Sequence, residues 1–131
     1  MASEFVRVRP EPVVLGWFTG LEEDAYLTAV TIAELRLGLR LMPPGRRQRD
    51  LETVTVDMLQ RFPRPTLPFD HEAADLYAEL VAERHRIGRP ISVTDAQIAS
   101  ICRRHDAALA TRNVRDFEGL GLDLVNPWSV A

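Results

Sequence analysis

The feature that most constrains this chain is a carboxylate on the apolar stripe of a predicted helix. Gly88 and Pro90 interrupt the preceding segment, and Ser92 or Thr94 can cap the first turn of a new helix. Three apolar residues follow Asp95 at helical spacing: Ile98, Ala99 and Cys102. A buried charge is costly unless a cation or donor offsets it. Asp95 therefore either caps the helix or belongs to an ionic site.

Composition limits the classes of protein that fit. The 131 residues form a single predicted domain, 1–131, with 46% hydrophobic and 27% charged residues, as in globular proteins. A net charge of −3 argues against a broadly basic nucleic-acid binder. The lone cysteine, Cys102, fits a reducing compartment. Neither a leader nor a long apolar run is present, so we expect a cytoplasmic protein without a membrane span.

Hydrophobic periodicity and turn residues predict helices that alternate with short strands. The predicted helices are 13–18, 31–42, 46–61, 71–87 and the segment after Ser92, and the predicted strands are 25–30, 67–69, 106–110 and 122–125. Asp70 is the expected cap of the helix at 71–87, whose apolar stripe would be Ala74, Tyr77, Leu80 and Val81. This alternation predicts an α/β fold with a parallel sheet covered by helices on both faces.

Glu34 has two possible roles in the helix at 31–42. Thr31 and Glu34 have the spacing of a capping box, in which Glu34 would only close the helix start. Alternatively Glu34 faces inward with Leu37 and Leu41, on the side opposite to Arg36 and Arg40, as a second carboxylate near a strand end.

Most other chemistry is disfavoured. The three histidines, His71, His85 and His105, are too scattered along the chain to form a helical metal pair. Cys102 is expected in the core. No glycine-rich phosphate loop or dinucleotide fingerprint is present.

The remaining candidates are carboxylates near predicted strand ends and helix starts. They are Glu34, Asp95 and Asp116, with Asn113 three residues before Asp116. In a parallel sheet such positions converge on one edge, and clustered carboxylates repel one another unless a hard cation such as Mg²⁺ or Mn²⁺ neutralises them. Such a cation can activate water and stabilise the charge of a phosphodiester during hydrolysis.

Four stretches carry a resemblance to a known family. They are Ala33-Glu34-Leu35, the run from Pro90 to Ala99 around Ser92-Val93-Thr94-Asp95, the run Leu109-Ala110-Thr111-Arg112-Asn113-Val114-Arg115-Asp116-Phe117, and the closing Leu124-Val125-Asn126-Pro127-Trp128. Together they resemble PIN-domain ribonuclease toxins of the VapC type, over nearly the whole chain. The resemblance implies a three-layer fold and a toxin of a type II toxin–antitoxin pair. Such a toxin cleaves RNA with Mg²⁺ or Mn²⁺, dimerises and is inhibited by a cognate, VapB-like antitoxin.

The resemblance also assigns site residues. Glu34, Asp95 and Asp116 match the metal-site acids of the family. Thr111 and Asn113 match polar positions that would hold the metal-bound water or the scissile phosphate. Positive charge for the RNA strand could come from three arginines, which could equally pair with neighbouring acids: Arg112, Arg115 and Arg89.

One family feature has no match. Family members begin with a central strand that ends in Asp-Thr-Asn-Val and supplies a further metal-binding aspartate, whereas Ala2-Ser3-Glu4-Phe5 resembles the segment after it. We hypothesise an N-terminally truncated form, which would bind Mn²⁺ more weakly and cleave RNA less well than a version carrying that strand. Two alternatives to a toxin remain: a catalytically impaired PIN domain that binds an antitoxin, and a flavodoxin-like binding module unrelated to nucleic acid.

Overall fold

Four helices precede a pair of short strands in the computed structural model, which describes residues 25–111 and 113–126. The helices are α1 (Ala29–Leu41), α2 (Arg46–Leu59), α3 (His71–Arg86) and α4 (Val93–Arg104). They are followed by β1 (Leu109–Ala110), a 3-10 helix (Val114–Phe117) and β2 (Leu124–Val125). The predicted helix at 13–18 lies outside the described residues.

Polar caps set the starts of α3 and α4 as the sequence predicts. Asp70 accepts a hydrogen bond from the Ala73 amide at 2.9 Å, and Ser92 accepts one from the Asp95 amide at 3.2 Å. Each bond satisfies one of the amide donors that a first helical turn leaves without an intrahelical acceptor. The helices predicted at 46–61 and 71–87 are confirmed to within two residues at their ends.

The start of α1 differs from the prediction. Thr28, not Thr31, is the cap, because its hydroxyl oxygen accepts the Thr31 amide at 2.9 Å. The helix therefore begins at Ala29, inside the apolar run that was predicted as a strand over 25–30. Only a parallel bridge between Thr28 and Leu67 remains of the strands expected at 25–30 and 67–69. The predicted capping box of Thr31 and Glu34 is wrong for the same reason.

The parallel pairing of the last two strands is confirmed, although both strands are shorter than predicted. Leu109 pairs with Leu124 and Ala110 with Val125. The Thr111 amide continues the ladder by donating to the Val125 carbonyl at 2.9 Å. The carboxyl end of β1 therefore leads directly into the segment that carries Thr111, Asn113 and Asp116.

The main core lies between α3, α4 and the β1–β2 pair. Its buried members are Leu80, Ile98, Ala99, Cys102, Leu109, Phe117 and Leu120. Helix α3 packs along α4, and α1 contacts both α2 and α4. Among the described residues, no helix is both long enough and apolar enough to cross a membrane.

Candidate functional site

Asp95 occupies the position that its spacing predicts. It lies in the first turn of α4 and is only 8% exposed, on the same stripe as the buried Ile98, Ala99 and Cys102. The side chain of Ser92 is the N-cap, so the predicted role of Asp95 as the cap residue itself is wrong. The ionic site stays a prediction for this buried carboxylate.

Glu34 lies in the second turn of α1 and is half-buried. The buried residues of α1 are Thr31 and Leu35, whereas Leu37 is 57% and Leu41 is 75% exposed. The predicted inward side formed by Glu34 with Leu37 and Leu41 is therefore wrong. Even so, the Oε1 atom of Glu34 is buried and accepts no hydrogen bond within residues 25–111 and 113–126.

The segment after β1 is folded by its own polar groups. Thr111 is fully buried, and its hydroxyl oxygen accepts the Asn113 amide at 3.1 Å. The Asn113 carbonyl in turn accepts the Asp116 amide at 3.1 Å. Asp116 is exposed in the 3-10 helix, while its neighbour Phe117 is fully buried in the core. Arg112 lies outside the described residues.

Phe117 places this segment against α4. Phe117 and Ile98 belong to the same buried cluster, and Ile98 lies on the Asp95 stripe. Since α1 also packs against α4, the three candidate acids lie on elements that all contact one helix or its core.

A buried arginine at the site was missed by the sequence reasoning. Arg84, in the last turn of α3, is only 3% exposed. Its Nη2 atom donates to the carbonyl oxygens of Asp116 and Glu118, each at 3.0 Å. Its Nη1 atom donates to the Arg89 carbonyl at 3.4 Å. Arg84 therefore connects the Asp116 segment to the loop that enters α4.

Helical spacing could have identified Arg84. The buried residues of α3 are Ala73, Leu80 and Arg84. The predicted stripe is confirmed at Leu80, with Tyr77 and Val81 half-buried, but it is wrong at Ala74, which is exposed while Ala73 is buried. Arg84 stands four residues after Leu80 and is thus on the core face. The sequence did not predict that this position is buried, because arginine is rarely buried unless its donors are satisfied.

Burial shifts the ionisation of two groups near the site. Burial lowers the pKa of Arg84, nearby Arg89 lowers it further, and the charge of Asp116 opposes both effects. Arginine nevertheless keeps its proton at neutral pH. Burial also raises the pKa of the Cys102 thiol from 9.0 to about 12. Cys102 is thus a protonated core residue and a poor nucleophile at neutral pH, in line with its predicted role.

Two of the arginines considered as RNA contacts, Arg89 and Arg115, are joined to each other by a hydrogen bond. Arg89 donates through Nη2 to the Arg115 carbonyl, and both residues are exposed. Neither forms a close ion pair with a carboxylate within the described ranges. Their charges face solvent near the Asp116 segment.

The geometry provides candidate metal ligands without a closed cluster. Across residues 25–111 and 113–126, no group of three or more His, Cys, Asp or Glu side chains is arranged to hold a metal ion. The shared site of Glu34, Asp95 and Asp116 therefore stays a prediction. Their donor atoms are all carboxylate oxygens, which suit hard cations, and the Oε1 atom of Glu34 is buried without a hydrogen bond among the described residues.

The chain is similar in sequence to a known domain family and to known proteins. Residues 3–121 match the profile of the PIN domain. The chain is 37% identical to VapC ribonuclease Y4jK of Sinorhizobium fredii, over 98% of this chain and 94% of that protein. It is 35% identical to the toxin FitB of Neisseria gonorrhoeae, over 96% of this chain and 92% of that protein.

A solved structure extends the likeness to three dimensions. The crystal structure of FitAcB from Neisseria gonorrhoeae contains a chain that superposes with a TM-score of 0.83 at 35% identity. The match covers 98% of this chain and 94% of that chain. The likeness to that chain therefore holds both in sequence and in three dimensions, over most of the length of both chains.

Proposed function

Because the chain belongs to the PIN-domain family, we propose that it is a metal-dependent endoribonuclease toxin of a type II toxin–antitoxin system. The observation that carries the proposal is the Asp95 carboxylate, buried in the first turn of α4 although Ser92 already caps that helix. Likeness to a VapC ribonuclease and to the toxin FitB supports both the nuclease and the toxin parts of the proposal.

Asp95 and Asp116 are the proposed ligands of Mg²⁺ or Mn²⁺, and Glu34 either completes the set or orients the attacking water. An all-oxygen donor set favours these ions over Zn²⁺, which prefers His and Cys. When bound, the cation lowers the pKa of a water molecule and offsets charge on the phosphodiester. The buried position of Asp95 keeps its carboxylate oriented, whereas Asp116 is exposed and accessible to substrate.

Substrate contacts are assigned to the segment after β1. The hydrogen bond from the Asn113 amide to the Thr111 hydroxyl oxygen fixes the turn that carries both residues, which are proposed to hold the water or the scissile phosphate. With a net charge of −3, phosphate binding needs a local basic patch, for which Arg112, Arg89 and Arg115 are the candidates.

The proposed partners follow from the same family resemblance. We infer a cognate, VapB-like antitoxin that inhibits the nuclease, and assembly as a homodimer. The cytoplasm is the proposed site of action, because it contains the RNA substrate and keeps a lone thiol such as Cys102 reduced.

Cleavage of an RNA panel in the presence of Mn²⁺ tests the proposal. Asp95→Asn keeps the shape of the side chain but weakens its bond to a cation. We expect a loss larger than the roughly 100-fold reached when supporting residues of a metal site are changed. Asp75→Asn is the matched control, since Asp75 is exposed on α3 and pairs only at the surface with His71.

Each result has a distinct meaning. Cleavage by the wild type and by Asp75→Asn, but not by Asp95→Asn, supports the nuclease. Equal cleavage by all three would contradict the role of Asp95. If none cleaves RNA and the wild type still captures its co-expressed antitoxin, the protein is instead the catalytically impaired binding partner considered above.

A further inference from the structure

The buried guanidinium of Arg84 donates hydrogen bonds to backbone carbonyls of two separate segments, and filling the core would not require these bonds. We propose that Arg84 is a positioning residue that fixes the Asp116 carboxylate relative to α4 and so to Asp95. This inference deepens the proposed metal-dependent cleavage and rests on it. Arg84 itself touches neither the reacting atoms nor a metal ligand side chain, because its described contacts are backbone carbonyls.

The first support is the placement of the two acceptors at 3.0 Å. The carbonyls of Asp116 and Glu118 lie on either side of Phe117, whose ring is fully buried. One nitrogen of Arg84 therefore holds the chain before and after the residue that anchors it in the core. With the backbone fixed at these points, the direction in which the Asp116 side chain leaves it is fixed as well.

The second support is the connection to α4. Arg84 also donates to the Arg89 carbonyl, in the loop that ends at the Ser92 cap. Arg89 returns a bond to the same region by donating to the Arg115 carbonyl. The Asp116 segment and the entry to α4 are thus tied to each other through one buried side chain and one exposed side chain.

The third support is the cost of burying a charge at this position. A cation in the core is unfavourable unless carbonyls or carboxylates satisfy its donors, and an apolar side chain of similar volume would fill the same space. The planar fork of arginine reaches several acceptors at fixed angles, which the single ammonium of lysine does not. A charged residue on the core-facing side of α3 therefore indicates a specific structural role, and the three carbonyl contacts show which segments it connects.

Substitutions at two arginines of α3 test this assignment. Arg84→Lys keeps the charge and loses the fork, while Arg84→Met removes the charge and keeps the volume. Arg86→Lys and Arg86→Met are the matched controls, because Arg86 is exposed on the same helix and bonds only to Glu83 among the described residues. For each variant we measure amide hydrogen exchange, Mn²⁺ affinity by calorimetry and RNA cleavage as a function of Mn²⁺ concentration.

We expect faster exchange at residues 113–118 in both Arg84 variants, with α2 exchanging as in the wild type. Affinity for Mn²⁺ should fall about tenfold, as for other residues that orient metal ligands. Cleavage by Arg84→Lys should recover at high Mn²⁺ concentration, since the ligands are all retained. The Arg86 variants should match the wild type in all three measurements.

The assignment is overturned if exchange at 113–118 is unchanged, or if it rises equally throughout the chain, which would indicate general destabilisation. It is also overturned if exchange rises at 113–118 while Mn²⁺ affinity stays at the wild-type value. Should the wild type neither bind Mn²⁺ nor cleave RNA, the proposed function fails separately, and the exchange data still decide whether Arg84 holds the segment. Arg84→Lys decides the outcome if Arg84→Met does not fold.

Discussion

Helices α1 and α4 each carry a candidate metal-site carboxylate, but the two helices support it differently. Asp95 follows its cap Ser92 by three residues and lies on a stripe that is buried along the whole of α4. Glu34 lies in the second turn after its cap Thr28, beside a face where Leu37 and Leu41 are exposed. The same residue chemistry is therefore held by a packed core in one helix and by a partly open surface in the other.

The two helices also differ in how many of their residues are buried. In α4, seven of the twelve helical residues are buried, including Asp95, whereas in the thirteen residues of α1 only Thr31 and Leu35 are buried. A ligand on a rigid packed element stays in place without a cation, and one on a less buried element is more readily displaced. Of the two proposed ligands, Asp95 therefore lies on the more extensively buried helix.

Truncating one apolar side chain in each helix gives the largest expected contrast. Ile98→Ala removes fully buried volume on the Asp95 stripe and should lower the free energy of unfolding by about 2–5 kcal/mol. Leu41→Ala removes a side chain that is 75% exposed and should change it by less than about 0.5 kcal/mol. Urea unfolding of both variants measures the two values. Similar losses would show that α1 is packed as firmly as α4.

The pH dependence of the free energy of unfolding offers a second measure of how well the buried side of α4 excludes water. The folded protein keeps the Cys102 proton up to a pKa of about 12, while the unfolded chain releases it near the ordinary value of 9.0. The stability from the buried neutral thiol is complete below pH 9 and is lost as the pH rises toward 12. The free energy of unfolding therefore falls progressively within that window, because the unfolded chain has released the proton that the folded protein keeps.

Cys102→Ala separates this effect from all other titrations. Unfolding free energies of the wild type and the variant should run in parallel below pH 9, and above it the wild type should decline more steeply. Parallel curves throughout the alkaline range would mean that water reaches the Cys102 thiol in the folded state.

The contrast between α1 and α4 also shows what the sequence could predict. The PIN-domain family and its α/β fold with a parallel sheet were predicted and are confirmed. The Asp95 stripe was readable because cap, apolar spacing and carboxylate all lie within one short segment. The start of α1 was not, because Thr28 and Thr31 are both good caps and the choice accompanies a bridge to distant Leu67.

Helical spacing places Arg84 on the core face of α3, but the partners of its side chain were not predictable, for a related reason. Its acceptors lie at Asp116 and Glu118, more than thirty residues along the chain, and only the tertiary fold brings them to α3. Local patterns treat an arginine at the end of a helix as a surface residue that complements the helix dipole. Long-range partners accompany both outcomes, the choice of Thr28 over Thr31 as the cap and the burial of the Arg84 cation.

The smallest expected effect tests which residue begins α1. Thr28→Ala removes the oxygen that accepts the Thr31 amide and should cost about 1 kcal/mol of unfolding free energy, as Ser92→Ala should in α4. Glu34→Ala should change stability by less than about 0.5 kcal/mol, because Glu34 takes no part in the cap. Urea unfolding without added metal compares the three variants. A loss in Glu34→Ala as large as that in Thr28→Ala would support the capping box and would count against Glu34 as a ligand.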